Sequence, residues 1–171
     1  MDVLVIVLRI VHIVSAVVWV GGAAVFFFYV EPMVHALGAD GEKVMNDLVV
    51  RRKLPIYFMV ASTLTVLGGG LLYWRDSNGL QLSWISTPTG LGFTVGAIAA
   101  LIAWLGGNLL IPKTIGEMTG VGAEMKAAGG PPSAALMGRM QAVQQKLRTI
   151  GLVDLVLLSI AAVSMAAARY L

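Results

Sequence analysis

The sequence predicts an all-α integral membrane protein, a four-helix bundle in a single domain of residues 1–171. Composition is the first observation behind this prediction: 58% of the residues are hydrophobic and 12% are charged, whereas an ordinary soluble domain has about 25% charged residues. The second is that the apolar residues form four runs, each long enough to supply the roughly 20 residues that a helical crossing of a bilayer needs. We therefore expect the lipid bilayer to be the main solvent of this chain.

Each apolar run is bounded by charged residues, by proline or by a turn. The first run is interrupted only by Arg9 and His12 and ends at Glu31-Pro32. The third run stops at Pro112, because proline removes a backbone donor and disfavours the continuation of a helix. The expected transmembrane helices cover residues 3–30, 56–75, 91–111 and 150–169.

Two longer polar connections, residues 32–53 and 112–149, follow the first and the third run. Apolar residues recur at helical spacing between residues 133 and 148, which predicts an extension of the fourth helix beyond the bilayer. Lysine and arginine concentrate in these connections, at Lys43, Arg51, Arg52, Lys53, Lys113, Lys126, Arg139, Lys146 and Arg148. By the positive-inside rule we expect both connections in the cytoplasm and both termini on the extracytoplasmic side of the plasma (inner) membrane, in a multi-pass topology.

The residue inventory narrows the chemistry. The chain has no cysteine, which excludes disulfides, iron–sulfur clusters, thiolate metal sites and covalently attached haem. No segment resembles a nucleic-acid module, so no nucleic-acid partner is expected. Small residues recur where helices could approach closely, which predicts a compact bundle and offers stripes for a homo-oligomer. These residues are Gly21-Gly22, Gly68-Gly69-Gly70, Gly92 with Gly96, and Gly106-Gly107.

His12 is the most informative residue, because an ionisable side chain inside an apolar run is costly and usually faces a partner in the bundle. At about 1.5 Å per residue, His12 and Met165 lie at similar depths below the boundary that Arg9 and Arg169 mark. Imidazole and thioether are both axial ligands of haem iron, which gives a candidate haem and metal site of His12 with Met165. The guanidinium groups of Arg9, Arg75 and Arg169 suit haem propionates. The competing interpretation is a hydrogen-bonded histidine, a packed methionine and three arginines that reach the headgroups.

Three further polar residues are expected to have other roles. His35 lies some 23 residues after His12, about 35 Å along one helix, so the two histidines cannot share one haem. We expect His35 in a loop near the cytoplasmic surface, with a metal or second-haem role as the alternative. Asp154 and Asn108 have similar depths, which allows a hydrogen bond between them. An interhelical polar clamp is the preferred interpretation of this pair, and a proton or cation relay is the alternative.

The first helix also resembles a known group of proteins. The run His12-Ile13-Val14-Ser15-Ala16-Val17-Val18-Trp19-Val20-Gly21-Gly22 is similar to the H-x2-S-x3-W-x-G/A-G pattern of the copper resistance protein D type and the four-helix bacterial protoporphyrinogen oxidases. Arg51-Arg52-Lys53-Leu54, followed by Thr65 and Gly68-Gly69, is similar to the oxidases as well. The resemblance implies a b-type haem ligated by His12. The oxidases carry a lysine inside the third helix and residues 91–111 do not, so the resemblance does not extend the oxidase reaction to this chain.

The leading hypothesis is a haem b-binding integral membrane protein that acts in electron transfer or as a small membrane oxidoreductase. Its expected electron partner is a quinone or another membrane redox protein. One alternative is a copper-handling or solute transporter without haem, and another is a non-catalytic helper subunit. Whether the chain is itself an enzyme stays open at this point.

Overall fold

The computed structural model describes residues 3–171, apart from the side chain of Ala39, and this part of the chain is helical without a β-strand. Two short helices, Ala39–Asn46 and Leu82–Ile85, lie in connections. Four longer helices have the length and apolar composition to cross a membrane. We refer to them as the first to the fourth helix: Val3–Ala36, Leu54–Asp76, Pro88–Ala127 and Ala134–Tyr170. The all-α class and the four apolar helices are thereby confirmed.

The first two helices form an antiparallel pair in which glycine allows close approach. A Cβ atom built on Gly22 would lie 3.2 Å from the ring of Phe58, near the beginning of the second helix. A Cβ atom on Gly68, nearly three helical turns further along, would lie 3.3 Å from Cβ of His12. Later residues of one helix thus meet earlier residues of the other, as in a hairpin.

The third and fourth helices form a second antiparallel pair of the same kind. Three glycines of the third helix lie against residues of the fourth: Gly92 against Ala168, Gly96 against Met165, and Gly106 against Asp154. A Cβ atom built on any of these glycines would lie 2.7 to 3.1 Å from the nearest side-chain atom of the facing residue. In an apolar solvent there is no hydrophobic driving force between helices, because no water is expelled when they meet. Dispersion contacts along such close-packed faces therefore hold the helices together.

Contacts between the two pairs close the bundle. The Tyr73 hydroxyl lies 2.6 Å from Oγ1 of Thr94, which joins the second helix to the third. The ring of Phe27 packs against Gly151, which joins the first helix to the fourth. Consecutive helices therefore alternate in direction, so residues 3 and 171 lie at one end of the bundle, the terminal end. The buried core between the helices is Trp19, Ala61, Ala103 and Leu158.

The outer surface of the bundle is apolar on every long helix. Val17, Leu67 and Val163 are each at least 60% exposed, and many other large aliphatic side chains share this orientation. A soluble monomer rarely exposes an apolar surface of this extent. The surface is consistent with a surrounding bilayer.

The first and third helices continue past the prolines at which the sequence analysis ends them. Before Pro32 the chain forms a π-helical turn, Phe26–Val30, and before Pro112 it forms another, Gly106–Leu110. A proline lacks the N–H of an α-helix and its ring clashes with the carbonyl four residues earlier. The wider π turn accommodates both defects, so the helical axis continues to Ala36 and Ala127.

The connections are consequently more helical than the sequence analysis expects. Residues 32–53 include the helix Ala39–Asn46 and a π-helical turn, Asp47–Arg51. Much of residues 112–149 forms a helical hairpin, because the fourth helix begins at Ala134, capped by the Ser133 hydroxyl. The predicted continuation of the fourth helix through residues 134–148 is therefore confirmed. Two exposed ion pairs link the arms of this hairpin, Glu117 with Lys146 and Glu124 with Arg139.

Candidate functional site

The imidazole of His12 lies on a surface of the second helix that only glycine can provide. A Cβ atom on Gly69 would lie 2.7 Å from Cε1 and 2.9 Å from Nδ1 of the ring. These separations are shorter than real Cβ contacts allow, so a side chain at this position would have to displace the ring. The half-buried histidine therefore fits between the first and second helices, because Gly69 has no side chain where the ring contacts the second helix.

A hydrogen bond determines which nitrogen of the ring carries the proton. Nδ1 of His12 lies 2.8 Å from the backbone carbonyl oxygen of Thr65. A carbonyl can only accept, so Nδ1 donates, and a neutral imidazole in this tautomer has a free lone pair on Nε2. No residue of the described range 3–171 bonds to Nε2. Metal-ligating histidines usually have this arrangement, with the second ring nitrogen donating to a carbonyl or carboxylate.

Two buried hydroxyl groups connect the same helices one turn further along. Oγ1 of Thr65 lies 3.0 Å from Oγ of Ser15, which in turn lies 2.6 Å from the carbonyl oxygen of Val11. Thr65 donates to Ser15 and Ser15 donates to the backbone, which satisfies both groups away from water. Sequence reasoning names Ser15 and Thr65 only as positions of a motif. The structure shows that they fix the register that places His12 beside Gly69.

Met165 occupies the other helix pair. A Cβ atom on Gly96 would lie 2.7 Å from Cγ and 3.3 Å from Cε of Met165, so the thioether packs between the third and fourth helices. Counting fifteen residues along each helix from the contact of Phe27 with Gly151 brings residue 12 level with residue 166. His12 and Met165 thus lie at one level of the bundle but in different helix interfaces.

The three arginines assigned to propionates lie towards the terminal end of the bundle. Arg9 and Arg169 are exposed, the former about one turn from His12. Arg75 is exposed as well and has a carboxylate neighbour, because its Nη1 lies 3.6 Å from Oδ1 of Asp76. The guanidinium groups are therefore accessible to an external anionic group.

His35 lies far from this constellation. It is on the same continuous first helix as His12, near its last residue Ala36, and is exposed, with Nε2 4.0 Å from a carboxylate oxygen of Glu31. The helix between the two histidines confirms their separation of about 35 Å at 1.5 Å per residue. Within residues 3–171, no group of three or more histidine, cysteine, aspartate or glutamate side chains could hold a metal ion.

The expected clamp between Asn108 and Asp154 is not formed. The Asn108 amide donates to the Trp104 carbonyl at 2.8 Å and to Oγ of Ser62 at 3.3 Å, so it serves the interface with the second helix. Asp154 instead faces Gly106 and its neighbour in the third helix. Similar depth places two residues at one level, but their rotation about the helix axes decides whether they meet.

Comparisons do not assign this fold or this site to a family. No protein-family model, curated protein or solved structure matches the chain. The resemblance in the first helix stays a prediction.

Proposed function

We propose that this protein is a haem b-binding membrane protein that transfers electrons, with Nε2 of His12 as axial ligand of the iron. One observation carries the proposal: the His12 ring lies against Gly69, and its Nδ1 donates to the Thr65 carbonyl, which in the neutral imidazole leaves the lone pair of Nε2 free. This is the state in which an imidazole binds a metal.

The donor set favours haem over a metal bound by side chains alone. A protein site for copper or zinc needs three or four nitrogen, sulfur or oxygen ligands, and His12 is the only histidine at its level. A haem supplies four equatorial nitrogens itself and needs one or two axial ligands. A single oriented imidazole in an apolar bundle meets this smaller requirement.

The residues of the chain would have separate roles towards the cofactor. His12 would ligate the iron, Met165 would be the second ligand, and Arg9, Arg75 and Arg169 would hold the propionates by charge and hydrogen bonds. When bound, haem supplies reversible one-electron transfer. The electron partner would be a quinone or another membrane redox protein, since the apolar surface keeps the chain in the bilayer.

The absorption spectrum of the purified protein tests this function. A reduced-minus-oxidised difference with b-type bands is expected, and His12→Ala should abolish it while the helix content by circular dichroism is preserved. His35→Ala is the matched control, because it removes the other imidazole, and should keep the bands. Undiminished b-type absorbance in His12→Ala would refute the ligand. Stoichiometric copper without bands would support a copper-handling protein instead.

The sidedness of the bundle is part of the proposal. Nine of the twelve lysine and arginine residues lie in the two connections opposite the terminal end, which would make those connections cytoplasmic. A reporter fused after Leu171 should then behave as extracytoplasmic and one inserted near Met125 as cytoplasmic. The reverse pattern would invert the orientation without separating His12 from Met165.

A further inference from the structure

Asp154 is the one carboxylate inside the apolar part of the fourth helix, residues 150–168. Its Oδ1 lies 3.1 Å from a Cβ position on Gly106, and its Oδ2 lies 3.5 Å from one on Gly107. Both oxygens therefore face the third helix where two consecutive residues have no side chain. Within residues 3–171 Asp154 has neither a hydrogen-bond donor nor an ion-pair partner.

The backbone opposite Asp154 contains a carbonyl without a helical partner. In an α-helix the N–H of Ile111 would bond the carbonyl of Gly107, but in the π turn it bonds the carbonyl of Gly106. The next residue, Pro112, has no N–H at all. The Gly107 carbonyl therefore lacks both of the backbone donors that a helix could provide. An unpaired carbonyl in an apolar environment is costly and calls for a donor from elsewhere.

The charged groups on the neighbouring segments do not pair with Asp154. Lys113, on the third helix beyond the π turn, is exposed and forms no ion pair among residues 3–171. Glu31, at the corresponding turn of the first helix, lies 4.0 Å from His35. On the fourth helix itself, Arg148 is exposed and about 9 Å further along the axis. The ionised carboxylate of Asp154 and the Gly107 carbonyl opposite it are thus both hydrogen-bond acceptors. No cation among the described residues lies between them.

We propose that Asp154 is a proton-binding site, in which the protonated carboxyl group donates its O–H to the Gly107 carbonyl. Binding converts the carboxylate and one proton into the neutral acid, with no change of oxidation state. The neutral acid supplies the donor that Pro112 removes from the backbone, and it takes away a charge from the apolar segment. Gly106 and Gly107 leave the space in which the carboxyl group reaches the main chain. The site is at the opposite end of the bundle from His12 and does not depend on haem binding.

Labelling with dicyclohexylcarbodiimide, an apolar reagent that reacts with protonated carboxyl groups, tests the site in detergent-solubilised full-length protein. Mass spectrometry should find Asp154 modified at near-neutral pH, with modification falling as the pH is raised, while exposed Asp40 stays unmodified. Infrared spectra should show a protonated-carboxyl band that is absent in Asp154→Asn. If folded protein shows neither modification nor this band at any pH, the proposal is wrong.

Two proline variants separate the proton site from a merely buried acid. Pro112→Ala restores an N–H for the carbonyls of the π turn, so the acid loses its acceptor and modification should fall by about fivefold, as expected for one hydrogen bond. Pro32→Ala restores the same donor in the π turn of the first helix, which presents the Phe27 ring to Gly151, and should leave modification unchanged. Equal modification in both variants would overturn the pairing. Protection by sodium or potassium salts, but not by choline, would also overturn it in favour of an alkali-cation site.

Discussion

His12 and Asp154 are two solutions to the same problem, an ionisable side chain inside an apolar helix. Each faces a pair of glycines on the neighbouring helix, Gly68-Gly69 for the histidine and Gly106-Gly107 for the aspartate. His12 faces a regular α-helix, and its Nδ1 donates to the Thr65 carbonyl oxygen. This oxygen has two lone pairs, so it can accept a second bond besides the helical one. Asp154 faces a π turn in which the Ile111 N–H bonds the Gly106 carbonyl and Pro112 has no N–H, so the Gly107 carbonyl has no helical donor. In both sites a glycine pair lets a side chain reach the neighbouring backbone, and the hydrogen-bond donors available there decide the chemistry of the site.

The largest effect is expected from removing the glycine under the imidazole. Gly69→Ala would place a Cβ atom 2.7 Å from Cε1 of His12, so the ring must leave its bond to Thr65. Loss of such an orienting contact typically lowers metal affinity by about 10- to 100-fold. The haem-to-protein ratio after purification measures the effect. Gly70→Ala is the control, because a Cβ there meets no atom within 4 Å, and an equal loss in both variants would contradict the role of Gly69.

The sequence predicts the four apolar helices well because hydropathy over about 20 residues is a long and redundant signal. It ends the first and third helices too early because the penalty of Pro32 and Pro112 is relieved by π turns. Such turns have no marker in the local sequence. Counting residues along the helices places His12 level with Met165. The same count pairs Asp154 with Asn108 wrongly, because the direction in which a side chain points around its helix axis depends on tertiary packing.

The next effect separates ligation from packing on the fourth helix. Met165→Leu keeps the volume that fills the space beside Gly96 but removes the sulfur. If the thioether is the second ligand, haem should be retained while the iron becomes high-spin and its potential falls. Electron paramagnetic resonance and redox titration measure both. Unchanged spectra would remove Met165 from the ligand set and leave His12 in place.

Asp154→Asn tests whether the carboxyl group of Asp154 titrates. The amide of asparagine is a permanent donor of nearly the same shape, so it should satisfy the Gly107 carbonyl as the protonated acid does. Raising the pH should lower the thermal stability of the wild type, because the deprotonated carboxylate no longer donates, whereas Asp154→Asn should be insensitive. Asp154→Ala, without any donor, should be about 1 kcal/mol less stable than Asp154→Asn at all pH values. Parallel pH profiles in wild type and Asp154→Asn would argue against a titrating site.

The smallest effect is expected for the hydroxyl that accompanies His12. In Ser15→Ala the Thr65 hydroxyl loses one acceptor but can turn to the Ala61 carbonyl, from which Oγ1 already lies 2.8 Å. Interhelical hydrogen bonds of this kind average about 0.6 kcal/mol in membrane proteins, so the loss of stability should be of that order. The bond from His12 to the Thr65 backbone is untouched, and the haem spectrum should therefore not change. A loss of haem comparable to that in Gly69→Ala would mean that the hydroxyl network, rather than the glycine surface, orients the imidazole.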